Sequence, residues 1–341
     1  MPRPGQISTS GATLNFSTGG FSYDGAGNVL AMGNDSFGYD ALSRLTSASL
    51  DGTGIQEIFG YDIYGNLTSR QNGPNPLSLT VNASNQIVGY SYDALGNLTS
   101  AQGETITYDP LSRATTANPG GGLLWTYFYG ADGERVVKNS NQAGNTFTLR
   151  DLDSRIATEY TATPAPSRDN VFLGSLLVGS YADVTIAGNG PNAWVYYSSD
   201  HIGTPRLLTD VTGITLETRR NWPFGEDVTT PSTPQRLRFA TMERDIEGLR
   251  YNDHARSHSF GLARFLSPDK LGGKITDPQS WNRYAYALNN PVRYFDPDGR
   301  AVEIVINRDT YTSESVTATM KVTSDVPGAG SFSGYTLVFC S

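Results

Sequence analysis

Residues 59–69 read Phe-Gly-Tyr-Asp-Ile-Tyr-Gly-Asn-Leu-Thr-Ser, and the fold follows from how that run is read. Phe59-Gly60-Tyr61 alternates like a half-buried strand. Asp62 and the pair Gly65-Asn66 set a tight turn, and Leu67-Thr68-Ser69 begins a return strand. The spelling recurs. Tyr-Asp stands at Tyr23-Asp24, Tyr39-Asp40, Tyr61-Asp62, Tyr92-Asp93 and Tyr108-Asp109. Three residues after each Asp comes a turn pair: Gly27-Asn28, Ser43-Arg44, Gly65-Asn66, Gly96-Asn97 and Ser112-Arg113. The tract from Tyr129 through Asp132-Gly133-Glu134 reads as a sixth, altered copy. Successive tyrosines lie 16, 22, 31, 16 and 21 residues apart, so insertions interrupt a unit of about 20 residues. One hairpin cannot bury its apolar face, which leads to the expectation that copies stack edge to edge into one curved sheet.

Composition points the same way. Of 341 residues, 38% are hydrophobic, enough for a core, while 37 Gly and 19 Tyr favour strands and tight turns over helices. An all-β chain is expected. The net charge of −8 argues against a nucleic-acid partner, because phosphate binding needs surplus Lys and Arg. The lone Cys340 cannot make an internal disulfide. The opening residues lack the apolar run of a secretory signal. The most apolar stretch, Val171 to Val184, holds Gly, Ser and Asp and is too short to cross a bilayer, so no membrane span is expected.

Tyr-Asp followed by Gly-Asn-Leu or Ser-Arg-Leu resembles the YD repeat of the Rhs (rearrangement hot spot) family, related to toxin-complex C proteins and teneurins. Further motifs extend the resemblance over roughly residues 15 to 300. Tyr196-Tyr197-Ser198-Ser199-Asp200-His201-Ile202-Gly203-Thr204-Pro205-Arg206 is similar to a family signature, and Asn221-Trp222-Pro223-Phe224-Gly225-Glu226 follows it. The stretch from Arg238 to Gly299 is similar to the Rhs-associated core. On this reading residues 1–140 are the YD-repeat sheet and 141–237 continue its strands. Residues 238–300 form the core, and 301–341 are a variable C-terminal segment, read as the truncated opening of a toxin domain. The resemblance implies a curved β-shell closed by its core and a secreted or cell-surface location. It also implies partnership with the chain's own C-terminal segment, an upstream Rhs shell or a secretion apparatus.

The resemblance further implies an aspartic self-cleaving activity. Carried over residue by residue, its catalytic set is Arg256, Asp269 and Asp296, and the scissile bond is Arg300–Ala301. The bare chemistry is compatible. Hydrolysis by paired carboxyls needs one protonated and one ionised, and two acids at close range are pushed apart in pKa. An arginine could hold the ionised member. Two departures bear on this. Ser257-His258 stands where the family carries Tyr-Tyr, removing two packing aromatics, and Arg300 stands in place of Leu.

Other patterns carry less. Asp-Pro and Pro-Asp are common turn residues, and a turn Asp ordinarily caps local N–H groups. His254 and His258 have helical spacing in a strand-like run without a useful carboxylate, so no metal or cofactor is expected. His201 is expected to hydrogen-bond its own turn. The Asn66 and Asn97 sequons coincide with the repeat's spelling. No nucleophile elbow supports Ser-His-Asp chemistry. The alternative reading is a non-catalytic surface or scaffold protein whose strand aromatics contact glycans or neighbouring cells. Three strands, at 302–306, 315–323 and 335–339, are expected in the tail.

Overall fold

The computed structural model describes residues 3–10, 15–142, 144–161, 167–182, 193–230, 232, 235–270, 273, 278–299, 316–318 and 335–340. Nearly all of its regular structure is antiparallel β. One sheet of ten strands runs in chain order from Arg3–Ser10 to Leu77–Ser78, with Val316–Ala318 and Tyr335–Cys340 added at its first edge. A second, of thirteen strands, runs from Ser91–Tyr92 to Thr215–Thr218. A third sheet holds four short strands: Glu243–Asp245, Arg250–Asp253, Arg256–Ser259 and Arg264–Phe265. The repeats thus form two open sheets, parted by a segment whose one β contact is the bridge between Val81 and Ile87. The second sheet passes residue 140 without a break, through Arg135–Ser140 and Gly144–Arg150.

The repeat's spelling has a hydrogen-bond reason. In each unit Asp Oδ1 accepts the backbone N–H four residues on, from Asn28, Arg44, Asn66, Asn97 and Arg113. Oδ2 takes a donor from that same residue's side chain, at 2.7–2.8 Å. Residue three of the turn sits at positive φ, which suits Gly65 (φ 77) and strains Ser43 (φ 62) and Ser112 (φ 61). The tyrosine ties unit to unit. Tyr39 Oη donates to the Val29 carbonyl (2.9 Å), Tyr61 to Leu45 (2.8 Å), Tyr108 to Leu98 (3.0 Å) and Tyr129 to Ala114 (2.7 Å). In every case the acceptor is the residue just after the preceding unit's turn pair.

The same turn recurs where no Tyr-Asp is written. Asp151 caps Arg155 N, and Asp200 and Asp210 cap Thr204 N and Ile214 N. Arg150 replaces the tyrosine at one of these, donating to the Arg135 carbonyl at 3.3 Å.

The core lies between these sheets and a closing segment, the described residues of 221–299. Phe37, Ala48, Phe59 and Leu67 of the first sheet meet Trp222, Phe224, Phe239, Tyr251, Phe265 and Tyr286. The strap 278–294 docks along the row of turns. Asn282 donates to Asn66 Oδ1 (3.0 Å), Tyr284 Oη to the Gly96 carbonyl (2.7 Å) and Asn289 to the Gly65 carbonyl (2.8 Å). Asn290 reaches Asn28 Oδ1 (2.8 Å) and the Ser43 carbonyl (2.9 Å). Asn28 and Asn66 are therefore buried yet satisfied, whereas Asn97 Oδ1 is buried without a hydrogen-bond partner. In the tail, strands stand at Val316–Ala318 and Tyr335–Cys340. The expected strand at 302–306 and most of 315–323 lie outside the described residues. Tyr335–Cys340 pairs antiparallel with Arg3–Ser10.

Candidate functional site: an arginine among four aspartates

Arg250–Asp253 and Arg256–Ser259 form a hairpin around the two-residue turn His254-Ala255, with His254 at φ 46. The turn sets Asp253 directly opposite Arg256. Arg264–Phe265 adds a third strand, and Phe265 N and Asp269 N bond the carbonyls of Tyr284 and Arg283 (2.9 and 2.8 Å). Asp269 is thereby brought alongside Arg256. The chain then returns through Asp296-Pro297-Asp298-Gly299, where Ala255 N bonds the Asp298 carbonyl at 3.3 Å.

All three residues proposed from sequence meet here. Arg256 Nη2 donates to Asp296 Oδ2 at 2.9 Å and lies 3.3 Å from Asp269 Oδ2. Its Nε donates to the Gly299 carbonyl, and its guanidinium carbon lies 3.6 Å from the centroid of the Phe265 ring. Gly299 is obligatory: its φ is +68°, and a Cβ there would fall 2.1 Å from the Asp253 carbonyl oxygen. The peptide leaving the core is thus clamped one residue before Arg300. Arg300 and Ala301 themselves lie outside the described residues.

Asp296 is 1% exposed, and burial pushes its carboxyl up to about 6, against the opposing pull of Arg256. Asp269 is less buried, its side chain 21% exposed. Sequence reasoning missed Asp253. It is 1% exposed, its Oδ2 is buried without a hydrogen-bond partner, and burial followed by the nearby Asp296 charge raises its carboxyl well above the usual range. The signal that could have found it is its place across a two-residue turn from Arg256.

The histidines do not converge. His254 Nδ1 lies 2.8 Å from Glu134 Oε2. His258 is fully buried, its ring 4.2 Å from that of Tyr286 and 5.9 Å from that of Phe265. Neither of its nitrogens has a partner, and burial pulls its pKa down to about 3, so it stays neutral. His258 therefore keeps the aromatic packing that the Tyr-Tyr replacement was expected to lose. His201 Nε2 contacts the Val292 carbonyl at 2.6 Å, not its own turn, because its ring points into the closing segment. No group of three or more potential metal ligands occurs among the described residues.

The family profile Teneurin YD-shell matches residues 21–292. A tRNA3(Ser)-specific nuclease, WapA of Bacillus spizizenii, is 29% identical over 295 residues, covering 79% of this chain. Toxin protein Tse5 of Pseudomonas aeruginosa is 30% identical over 118 residues, covering 33% of it. This chain spans 12% of the length of the nuclease and 8% of the length of the toxin. Among solved structures, TcdB2-TccC3 superposes with a TM-score of 0.68 at 21% identity, covering 86% of this chain and 18% of that one.

Proposed function

The chain belongs to the Teneurin YD-shell family, and from that premise we propose that it is part of an Rhs-type toxin shell that encloses and releases its own C-terminal segment. The sequence likeness to WapA and Tse5 supports the toxin context, and the fold likeness to TcdB2-TccC3 supports the shell. A secreted or surface location, with an upstream shell or a secretion apparatus as partner, belongs to the same proposal.

Release would be hydrolysis of Arg300–Ala301. A water oxygen bonds to the Arg300 carbonyl carbon while the C–N bond to Ala301 breaks. Asp269, beside the Arg256 charge, takes the water's proton, and Asp296 donates its own to the departing amine. Both protons are thereby accounted for. The observation that carries this reading is Arg256, which contacts both carboxyls and holds the Gly299 carbonyl. The test is intact-mass measurement of the purified chain. Fragments 1–300 and 301–341, lost in Asp269→Asn and Asp296→Asn, are expected. An uncut wild-type chain removes the cleavage and leaves the shell.

A second reading, glycan contact, is favoured by one feature of the second sheet. Phe128, Val137, Phe147 and Tyr160 are cross-strand neighbours on four adjacent strands, with Phe128 53% and Phe147 39% exposed. Thr126, Asn139 and Asn145 form an uncharged polar row beside them. Stacking rings next to amides suits a neutral saccharide. Retention on insoluble polysaccharide, weakened at least tenfold by Phe147→Ala, would support it, and no retention by the wild-type chain would remove it.

A further inference from the structure

Away from the Arg256 site, the first sheet meets the closing segment through a second set of buried acids. Glu57, on strand Gln56–Tyr61, is 0% exposed, and neither carboxyl oxygen has a hydrogen-bond partner. Glu226, in the Trp222–Glu226 turn, is 2% exposed, and its Oε2 is likewise buried and unpartnered. Arg70, on Leu67–Gln71, reaches in from the neighbouring strand. It pairs with Glu226 Oε1 and donates to the carbonyls of Phe260 (3.0 Å), Gly261 (2.8 Å) and Asn75 (2.7 Å). The Glu57 carboxyl is seated over Gly73, where a Cβ would fall 1.8 Å from Oε1.

Counting charge decides the state. Two carboxylates against one guanidinium leave an uncompensated negative charge among three buried, unpartnered oxygens, which a low-dielectric site does not tolerate. We propose that Glu57 holds a proton at neutral pH, that the Glu57–Arg70–Glu226 cluster, carrying no net charge in that state, latches the first sheet to the closing segment, and that the proton is lost in alkali. The other titratable groups facing the cluster are Tyr61 and Tyr251, which burial keeps protonated well beyond neutrality, and His258, which is neutral. Arg70 stays cationic throughout. None of these changes charge between pH 5 and 9. Burial, then Glu226, raises the Glu57 carboxyl to about 8, with Arg70 opposing.

The sign follows from linkage. A carboxyl raised in the folded state contributes stability that is full below its unfolded value, near 4.5, and is lost as pH rises toward about 8. Chemical unfolding of the full chain across pH 4.5–9 tests this. Between about pH 4.5 and 8 the unfolding constant should rise about tenfold per pH unit from this group and level off above, and Glu57→Gln should remove that increment. Above pH 8, backbone hydrogen exchange in Gln56–Tyr61 and Leu67–Gln71, corrected for intrinsic rate, should accelerate in wild type but not in Glu57→Gln. Gly73→Ala, which displaces the carboxyl from its seat, should flatten the same profile while leaving Glu57 in place. A Glu57→Gln profile parallel to wild type, with exchange in both strands independent of pH, would overturn the proposal.

Discussion

The repeat turns and the closing segment solve the problem of polar groups in opposite ways. A turn such as Asp62 to Asn66 makes its capping bonds within four residues, with Ile63 and Tyr64 exposed at its tip. The closing segment completes its bonding across more than 100 residues and out of water. Asp245 receives Arg135 Nη2 at 2.7 Å and Lys138 Nζ at 2.9 Å, Lys138 also reaches Glu247 at 2.6 Å, and all four side chains are at most 4% exposed. The turns make the wall easy to lengthen. The buried network makes its closure specific, because each charge there is tolerable only while every partner is in place.

Substitutions in the two regions should differ in cost by their dependence on buried partners. Asp245→Ala leaves Arg135 and Lys138 each short of one buried partner and should cost about 3–5 kcal/mol, read as a shifted denaturant midpoint. Asp62→Ala removes bonds to Tyr64 N, Asn66 N and Asn66 Nδ2 that water can partly replace, and about 1–2 kcal/mol is expected. Tyr61→Phe deletes only the link to Leu45 and should cost about 1 kcal/mol. Leu152→Ser, at a fully exposed turn tip, should stay within about 0.5 kcal/mol. If Asp62→Ala proved as damaging as Asp245→Ala, the distinction between the two regions would fail.

Acid sharpens the same comparison. Burial pushes the Glu243 carboxyl up, but Arg135 and Arg236 more than offset this and bring it to about 2. A depressed carboxyl contributes stability above its unfolded value, near 4.5, and loses it as pH falls toward 2. The network around Glu243 should therefore weaken on acidification, where the latch at Glu57 does not. An Arg236→Gln chain, tracked by unfolding between pH 2 and 5, should show a shallower acid loss than wild type.

Legibility in the sequence divided along this line. The Asp and the Gly-Asn pair could be read because both partners of each capping bond lie within one unit, so spacing encodes contact. The turns at Asp151 and Asp210 escaped because Arg150 and Thr209 occupy the tyrosine's position, although the capping aspartate was visible. Arg256, Asp269 and Asp296 were found through a family resemblance, and the fold does gather them. Asp253 was not found, nor were the buried carboxyls of Glu57 and Glu226. A buried carboxyl is defined by what surrounds it in space, and those surroundings come from chain far away. His201 failed for the same reason, its acceptor lying 91 residues on.

The grip of Arg256 on the Gly299 carbonyl has a mechanical side. Tension applied to the chain beyond Gly299 would load this guanidinium first, and its anchors to Asp296 and the Arg283 carbonyl would spread the force into neighbouring segments. Such a knot would hold the chain that leaves Gly299 without unravelling the strands behind it.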